Sequence, residues 1–406
     1  MRTGIIAGYI ILIPLLSLSQ GEFNTWYFGT YAGMSFNSGN PVALPPNPMA
    51  QGGLAAGSSV SDSLGNILFY SDGIKIWDRN NNVMPNGFGL LGGGGKNQAA
   101  LSVQSIIDKN KYFLFTVGYK SIPLLPLRGL YYSVLDMQLN GGLGDIVPGM
   151  KNIPLPMGDS AIVQLTATRH QNNRDAWVIV LRHGTTEQYL SYLIDPAGLH
   201  TTPIVSTSNL KNRIRPIFNS GESGFIRISP NSEYLICTDS LTEMCNFNAS
   251  TGVVTPKFRF WPYLSGGYST GAEYSIDSRY LYLTTEGESP IYYPLMQYNM
   301  NNEDSLSFKQ SQVMIGDSSS WSIQMAPDGK IYLTTWPNND SLNIINNPSS
   351  PGSACNYQKN AFCLQGNVHY WCLPQFLQKY KAYVNHTNGC MADSMHYSAD
   401  IWPPAD

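Results

Sequence analysis

The chain has 406 residues, a formal net charge of −3 and only 13% charged residues, so it carries neither the charge excess of a disordered chain nor the basic stripe of a nucleic-acid binder. Against this stand 25 Tyr, 15 Phe, 8 Trp, 38 Gly and 26 Pro, the materials of many short strands joined by tight turns.

The first element in chain order is a leader. Arg2 precedes the apolar run "IIAGYIILIPLLSL" (5–18), which Pro14 interrupts and the small residues Ser17 and Ser19 follow. A run of about fourteen residues is too short for a spanning helix, which needs about twenty. Its charge, length and small-residue end fit a secretory signal peptide over residues 1–19, cleaved near Ser19. No Cys follows the apolar run, which argues against a lipid anchor. The expectation is a secreted or outer-surface protein with no membrane insertion after cleavage.

Beyond the leader, one grammar recurs about every fifty residues: an alternating strand, a tight polar turn, a second apolar strand, then looser connections to further strands. The turns fall near Asp62, Asp108, Asn172, Pro230, Asp277 and Pro327. Each is followed by a strand-like run, "NILFYS", "KYFLFTV", "DAWVIVL", "EYLICTD", "RYLYLTT" and "KIYLTTW". No segment beyond the leader holds a helical apolar period between capping signals. Units of this size with short antiparallel strands predict an all-β fold, a seven-bladed β-propeller over residues 20–384. The seventh unit, around "HYWCLPQFLQKYKAYV", is short of strands. The segment "NTWYFGTYAGMSFNSG" (24–39) has strands and no partners, so N-terminal strands are expected to close the ring. An array of β-sandwiches is the competing architecture.

Six cysteines at 237, 245, 355, 363, 372 and 390 would permit disulfides in an exported chain. Cys237 with Cys245 and Cys355 with Cys363 flank expected turns and are the candidate pairs, with buried free thiols as the alternative. No paired CxxC supports zinc. The acidic stretch "SDSLGNILFYSDGIKIWD" invites a calcium reading, but Asp62, Asp72 and Asp78 are separated by strands and suit turns better. The six histidines form no HExxH motif, "GLLGGGGKN" lacks the Ser/Thr and helix of a phosphate loop, and "GGYSTG" lacks the helix of a nucleophile elbow. No metal, cofactor or catalytic residue is assigned. The candidate binding residues are aromatics of the connecting loops, Tyr131, Trp261, Tyr263, Tyr292 and Trp336, able to offer contact area with a polar handle to a protein or a sugar ring.

An ordered set of motifs, "WYFGTYAGMSFNSGNPVAL", "SDSLGNILFYSDGIKIWDRNNNVMPNGFGLLG", "YYSVLDMQLNGGLGDI", "LTATRH", "APDGKIYL", "INNPSSPGSACNY" and "LPQF", resembles the N-terminal propeller region of gliding-motility-associated surface proteins exported by the type IX secretion system. The resemblance spans residues 26–383. It implies a surface propeller followed by immunoglobulin-like PKD modules. Residues 385–406 resemble the opening of such a module, with Cys390 and Asp393 at its Cys-x-x-Asp start. The resemblance brings no catalytic residues. The functional expectation is therefore a non-catalytic propeller for adhesion or recognition of a surface protein or glycan. The alternatives are an exported propeller hydrolase or lyase acting on polysaccharide, and a structural spacer within a larger surface protein.

Overall fold

Short β-branched and aromatic runs bounded by Asp, Asn and Gly set the strands. In a computed structural model, the described residues are 21–49, 57–92, 98–118, 129–210, 224–238, 241–262, 268–286, 294–317, 320–335, 339–369, 372–377, 384–386 and 397–399. The expected leader, 1–19, lies outside them, as does most of 385–406.

Three N-terminal strands, β1 (Thr25–Phe28), β2 (Ala32–Ser35) and β3 (Val42–Ala43), form one antiparallel sheet. Blade 1 follows with β4 (Ser58–Ser61), β5 (Ile67–Ser71), β6 (Lys75–Asp78) and β7 (Val83–Phe88). Blade 2 holds β8 (Ala100–Gln104), β9 (Lys111–Gly118) and β10 (Gly129–Asp136), with its fourth strand split into β11 (Asp145–Ile146) and β12 (Ile153–Pro154). Blade 3 repeats that plan with β13 (Ala161–Arg169), β14 (Ala176–Arg182), β15 (Gln188–Asp195), β16 (Gly198–Leu199) and β17 (Ile204–Thr207). Blade 4 is β18 (Ile226–Ile228), β19 (Tyr234–Cys237), β20 (Thr242–Asn248) and β21 (Val253–Phe260). Blade 5 is β22 (Tyr268–Tyr274), β23 (Tyr280–Glu286), β24 (Pro294–Asn299) and β25 (Val313–Asp317). Blade 6 is β26 (Ile323–Met325), β27 (Ile331–Thr334), β28 (Ser341–Ile345) and β29 (Tyr357–Cys363). The tail contributes one antiparallel pair, β30 (Val384–His386) with β31 (Tyr397–Ala399).

The six expected turns all join the first and second strands of their blades. A short Asp or Asn side chain bonds the backbone just ahead of it in each, the standard device for a tight reversal. Asp62 accepts the N–H of Leu64 and of Asn66 at 2.9 Å, and Asp108 that of Asn110 at 3.1 Å. Asn172 accepts from Arg174 at 3.1 Å, and Asn231, after Pro230, from Glu233 at 3.2 Å. Asp277 accepts from Arg279 at 3.2 Å, and Asp328, after Pro327, from Lys330 at 3.1 Å. Asp72 and Asp78 serve later turns of blade 1: Asp72 accepts from Ile74 and Lys75, Asp78 from Asn80 and Asn82. Gly73 between them needs its φ of +84°, which a side chain would strain. The acidic stretch is blade punctuation.

Closure uses both ends of the chain. Thr30 donates its N–H to the Val368 carbonyl at 2.7 Å and accepts from the Val368 N–H at 3.2 Å. Further on, Gln375 runs parallel to Ser58 and donates its N–H to the Gly57 carbonyl at 2.8 Å. The segment 372–377 thus lies along the innermost strand of blade 1 and, with β1, β2 and β3, makes up the seventh unit. Trp26 is its core. Fully buried, it meets Phe36, Phe376 and Tyr332 at ring-centroid distances of 5.1, 5.6 and 6.1 Å, and donates Nε1–H to the Phe23 carbonyl at 2.8 Å. The chain is a seven-bladed β-propeller closed by N-terminal strands.

Three expectations need correction. One helical turn does occur, α1 (Ser305–Gln310), started by Asp304 accepting from Leu306 and Ser307, and it seats Phe308 between blades 4 and 5, against Phe258, Phe260 and Tyr298. The proposed disulfides are absent. On the β19–β20 hairpin Cys237 pairs with Glu243, and Cys245 with Leu235. The two cysteines are therefore diagonal rather than opposite, a spacing of about 7–8 Å that exceeds what a disulfide spans. Cys355 is buried in a 3₁₀ turn, while Cys363 is exposed at the far end of the seven-residue β29. All four are thiols.

Candidate functional site

An even number of strands per blade returns the chain to the same end each time. The turns between first and second strands, and between third and fourth, therefore open on one face, here the turn face. The second-to-third and blade-to-blade connections open on the other, the connection face. Ligands of such rings meet these loops and the axis between them.

Of the candidate aromatics, Trp261 and Tyr131 fall among the described residues, both towards the connection face. Trp261 follows the last residue of β21 and is 50% exposed. Tyr131 is a strand residue, not a rim-loop one: it is second in β10, paired with Thr116 and Pro154 and half-buried. Tyr263, Tyr292 and Trp336 lie outside the described residues. Two aromatics on this face were not anticipated. Tyr31, 43% exposed, sits in the β1–β2 turn with φ +64°, and Phe88, 57% exposed, ends β7 with the Lys151 ammonium 4.6 Å from its ring centre. Among the described residues, the exposed aromatics are Tyr31, Phe88 and Trp261, and all three open on this face. The exposed apolar residues of the other face's turns, Leu64, Ile107, Ile276 and Leu306, are aliphatic.

The axis is filled by side chains. Gln98, fully buried ahead of β8, donates Nε2–H to the Ile226 carbonyl at 2.8 Å and to Gln375 Oε1 at 3.1 Å, and accepts the Ile226 N–H at 2.8 Å. One carboxamide so joins blades 2, 4 and 7. Across from it, Arg227, Glu273 and Gln324 hold equivalent places on the innermost strands of blades 4, 5 and 6. Arg227 Nη2 lies 3.6 Å from Glu273 Oε2 and donates to Gln324 Oε1 at 3.1 Å, while its Nε donates to the Ala272 carbonyl at 3.3 Å. Glu273 also accepts the N–H of Met325 at 2.9 Å and of Tyr274 at 3.0 Å. Burial pushes the Glu273 carboxyl above its usual range, and Arg227 and these amides pull it back.

Near the connection end, the buried Glu243 carboxylate accepts from Tyr189 Oη and Ser208 Oγ, both at 2.7 Å, and from the Asn209 N–H at 2.8 Å. It ties the exit of blade 3 to blade 4. Among the described residues no group of three His, Cys, Asp or Glu side chains is placed as metal ligands would be, and no helix is long and apolar enough to cross a membrane.

No family model matches the chain and no curated protein matches it. Solved structures do, at low identity. A candidate 6-phosphogluconolactonase from Bacteroides fragilis is 11% identical, with a TM-score of 0.48, over 87% of this chain and 97% of that one. TolB from Acinetobacter baumannii is 11% identical with a TM-score of 0.35, over 61% of this chain, which spans about half (51%) of that one. The extracellular domain of the BT4673 one component system of B. thetaiotaomicron is 12% identical with a TM-score of 0.40, over 88% of this chain and 39% of that one.

Proposed function

We propose that the protein is an exported, non-catalytic propeller that recognises a surface protein or glycan through its connection face, as the resemblance to gliding-motility-associated surface proteins implies. The observation that carries this reading is the placement of Tyr31, Phe88 and Trp261. An exposed Trp, Tyr or Phe costs solvation and offers a flat apolar surface, and gathering all three at one end of a rigid ring suits binding. Two fully buried carboxylates, by contrast, are engaged within the fold: Glu243 by three donors, Glu273 by Arg227 and two backbone amides. That supports recognition over hydrolysis of polysaccharide.

The test is binding of the leaderless chain to arrays of glycans and purified cell-surface proteins. Trp261→Ala, at an exposed position, is expected to leave folding unchanged and to weaken binding at least about tenfold, as truncation of an aromatic anchor does. Undiminished binding by Trp261→Ala and Phe88→Ala, or turnover of a polysaccharide, would overturn the reading.

A further inference from the structure

Two exposed aromatics of the connection face have charged neighbours, all of one sign. Phe88 stands directly opposite Lys75 across the β6–β7 pair, and the Lys151 ammonium lies 4.6 Å from its ring centre. Trp261 occupies the same place in blade 4, at the end of the fourth strand, two residues after the exposed Arg259. Among the described residues none of these cations meets a carboxylate. Lys75 Nζ has no partner in the fold, and Lys151 Nζ donates to the Phe88 carbonyl. Arg259 donates through Nη1 to the Asn209 carbonyl at 3.0 Å, which leaves Nε and Nη2 over. On the turn face, by contrast, Lys111 pairs with Asp108 at 3.0 Å, Arg174 with Asp175 at 2.8 Å, and Arg279 with Asp277.

The carboxylates nearest these pairs are withdrawn from solvent. Asp72 is 6% exposed and spent on two backbone N–H groups. Glu243, opposite Arg259 across the β20–β21 pair, is fully buried and turned to Tyr189, Ser208 and Asn209. Asp159 is taken up by Arg182 at 3.4 Å, and the exposed Asp340 stands on blade 6, beside neither pair. A free cation next to an exposed ring matches the two parts of an acidic sugar. The ring offers a flat face to its C–H surface, and the cation bonds its carboxylate or sulfate. A neutral glycan would leave the cations unused. The same pair of groups recurs on opposite sides of the ring, blades 1 and 4, which suits a polymer repeating one unit better than a protein needing one contiguous patch. With a net charge of −3, the chain does not attract a polyanion by charge at large.

We infer that the connection face binds an acidic polysaccharide at two sites. One sugar stacks on Phe88 with its anionic group on Lys75 and Lys151, another on Trp261 with its anionic group on Arg259. This rests on the reading of that face as the binding face and names its ligand. Biolayer interferometry of the leaderless chain tests it, on immobilised polygalacturonate for the carboxylate and dextran sulfate for the sulfate. Fully methyl-esterified polygalacturonate and plain dextran are the neutral counterparts. At least one acidic polymer is expected to bind, and its neutral counterpart at least about tenfold more weakly. The triple variant Lys75→Gln, Lys151→Gln, Arg259→Gln should lose at least about tenfold in affinity, and Arg259→Gln alone, at an exposed position, about threefold. Lys75→Arg with Lys151→Arg keeps both charges and should stay within about threefold of the parent. Lys309→Gln, exposed on the turn face, should change nothing. The inference is overturned if neither acidic polymer binds, or if the neutral counterparts bind equally well. It is also overturned if the triple variant and Arg259→Gln, both folded by circular dichroism, bind as the parent does, or if Lys309→Gln weakens binding as much as they do. Should a neutral glycan or a protein bind through Trp261 while the acidic polymers do not, this inference falls and the reading of the face stands.

Discussion

Arg227→Ala is expected to lower the free energy of unfolding by about 3–5 kcal/mol at neutral pH, the usual cost of leaving one charge of a buried pair alone. The deficit should depend on pH in a definite direction. Burial raises the Glu273 carboxyl above its ordinary range and Arg227 opposes that rise. A carboxyl raised by folding contributes stability that is fully present below its unfolded pKa and is lost as pH climbs through its folded one. Removing Arg227 raises Glu273 further, so the variant loses more over that climb than the parent does. Urea unfolding should therefore show the gap between variant and parent smallest on the acid side of the usual carboxyl range and wider as the pH rises to neutral. A gap that does not change with pH would mean that the Arg227–Glu273 pair is not the source of the loss. Adding Glu273→Gln to Arg227→Ala should recover part of it at pH 7.

Trp26→Ala is expected to cost a similar amount, about 3–5 kcal/mol, for a different reason. Trp26 is fully buried where the two chain ends meet, against Phe36 of the N-terminal segment, Phe376 of the C-terminal one and Tyr332 of blade 6. Its loss leaves a cavity at the seam and strands the Phe23 carbonyl that its indole satisfies. Denaturant unfolding measures the effect. A loss under about 1 kcal/mol would place the stability of the ring elsewhere than at this seam.

The fold was legible because it is written in local chemistry. Asp62, Asp108, Asn172, Asp277 and the Pro230 and Pro327 pairs each form a turn through bonds within five residues, so spacing alone located six blades. The seventh was read by subtraction, from a strandless C-terminus and an unpartnered N-terminus. The axis was not legible, because Gln98 and Ile226 are 128 residues apart and Arg227 and Glu273 belong to different blades. A signal did exist: Arg227, Glu273 and Gln324 each stand four residues before their turn Asn or Asp, at 231, 277 and 328, so alignment on the turns brings them into register. The disulfide expectation failed because proximity in sequence fixes neither strand register nor which end of a strand a cysteine occupies. Tyr31 and Phe88 were missed because exposure is decided by the ring, and their local sequence reads as strand and turn.

Both proposed sites presuppose one closed ring, and the pairing of Thr30 with Val368 is its most direct expression. A hydrogen-bonded antiparallel pair sits about 5.5 Å apart at Cα, within disulfide range. The decisive measurement is cross-linking of Thr30→Cys, Val368→Cys in a background where the exposed Cys363 is serine. Mild oxidation of the folded protein should join the two positions nearly completely, giving a faster-migrating species on a non-reducing denaturing gel that reverts with reductant. Failure to cross-link while the protein remains folded would contradict closure by the two chain ends, and with it the placement of both faces.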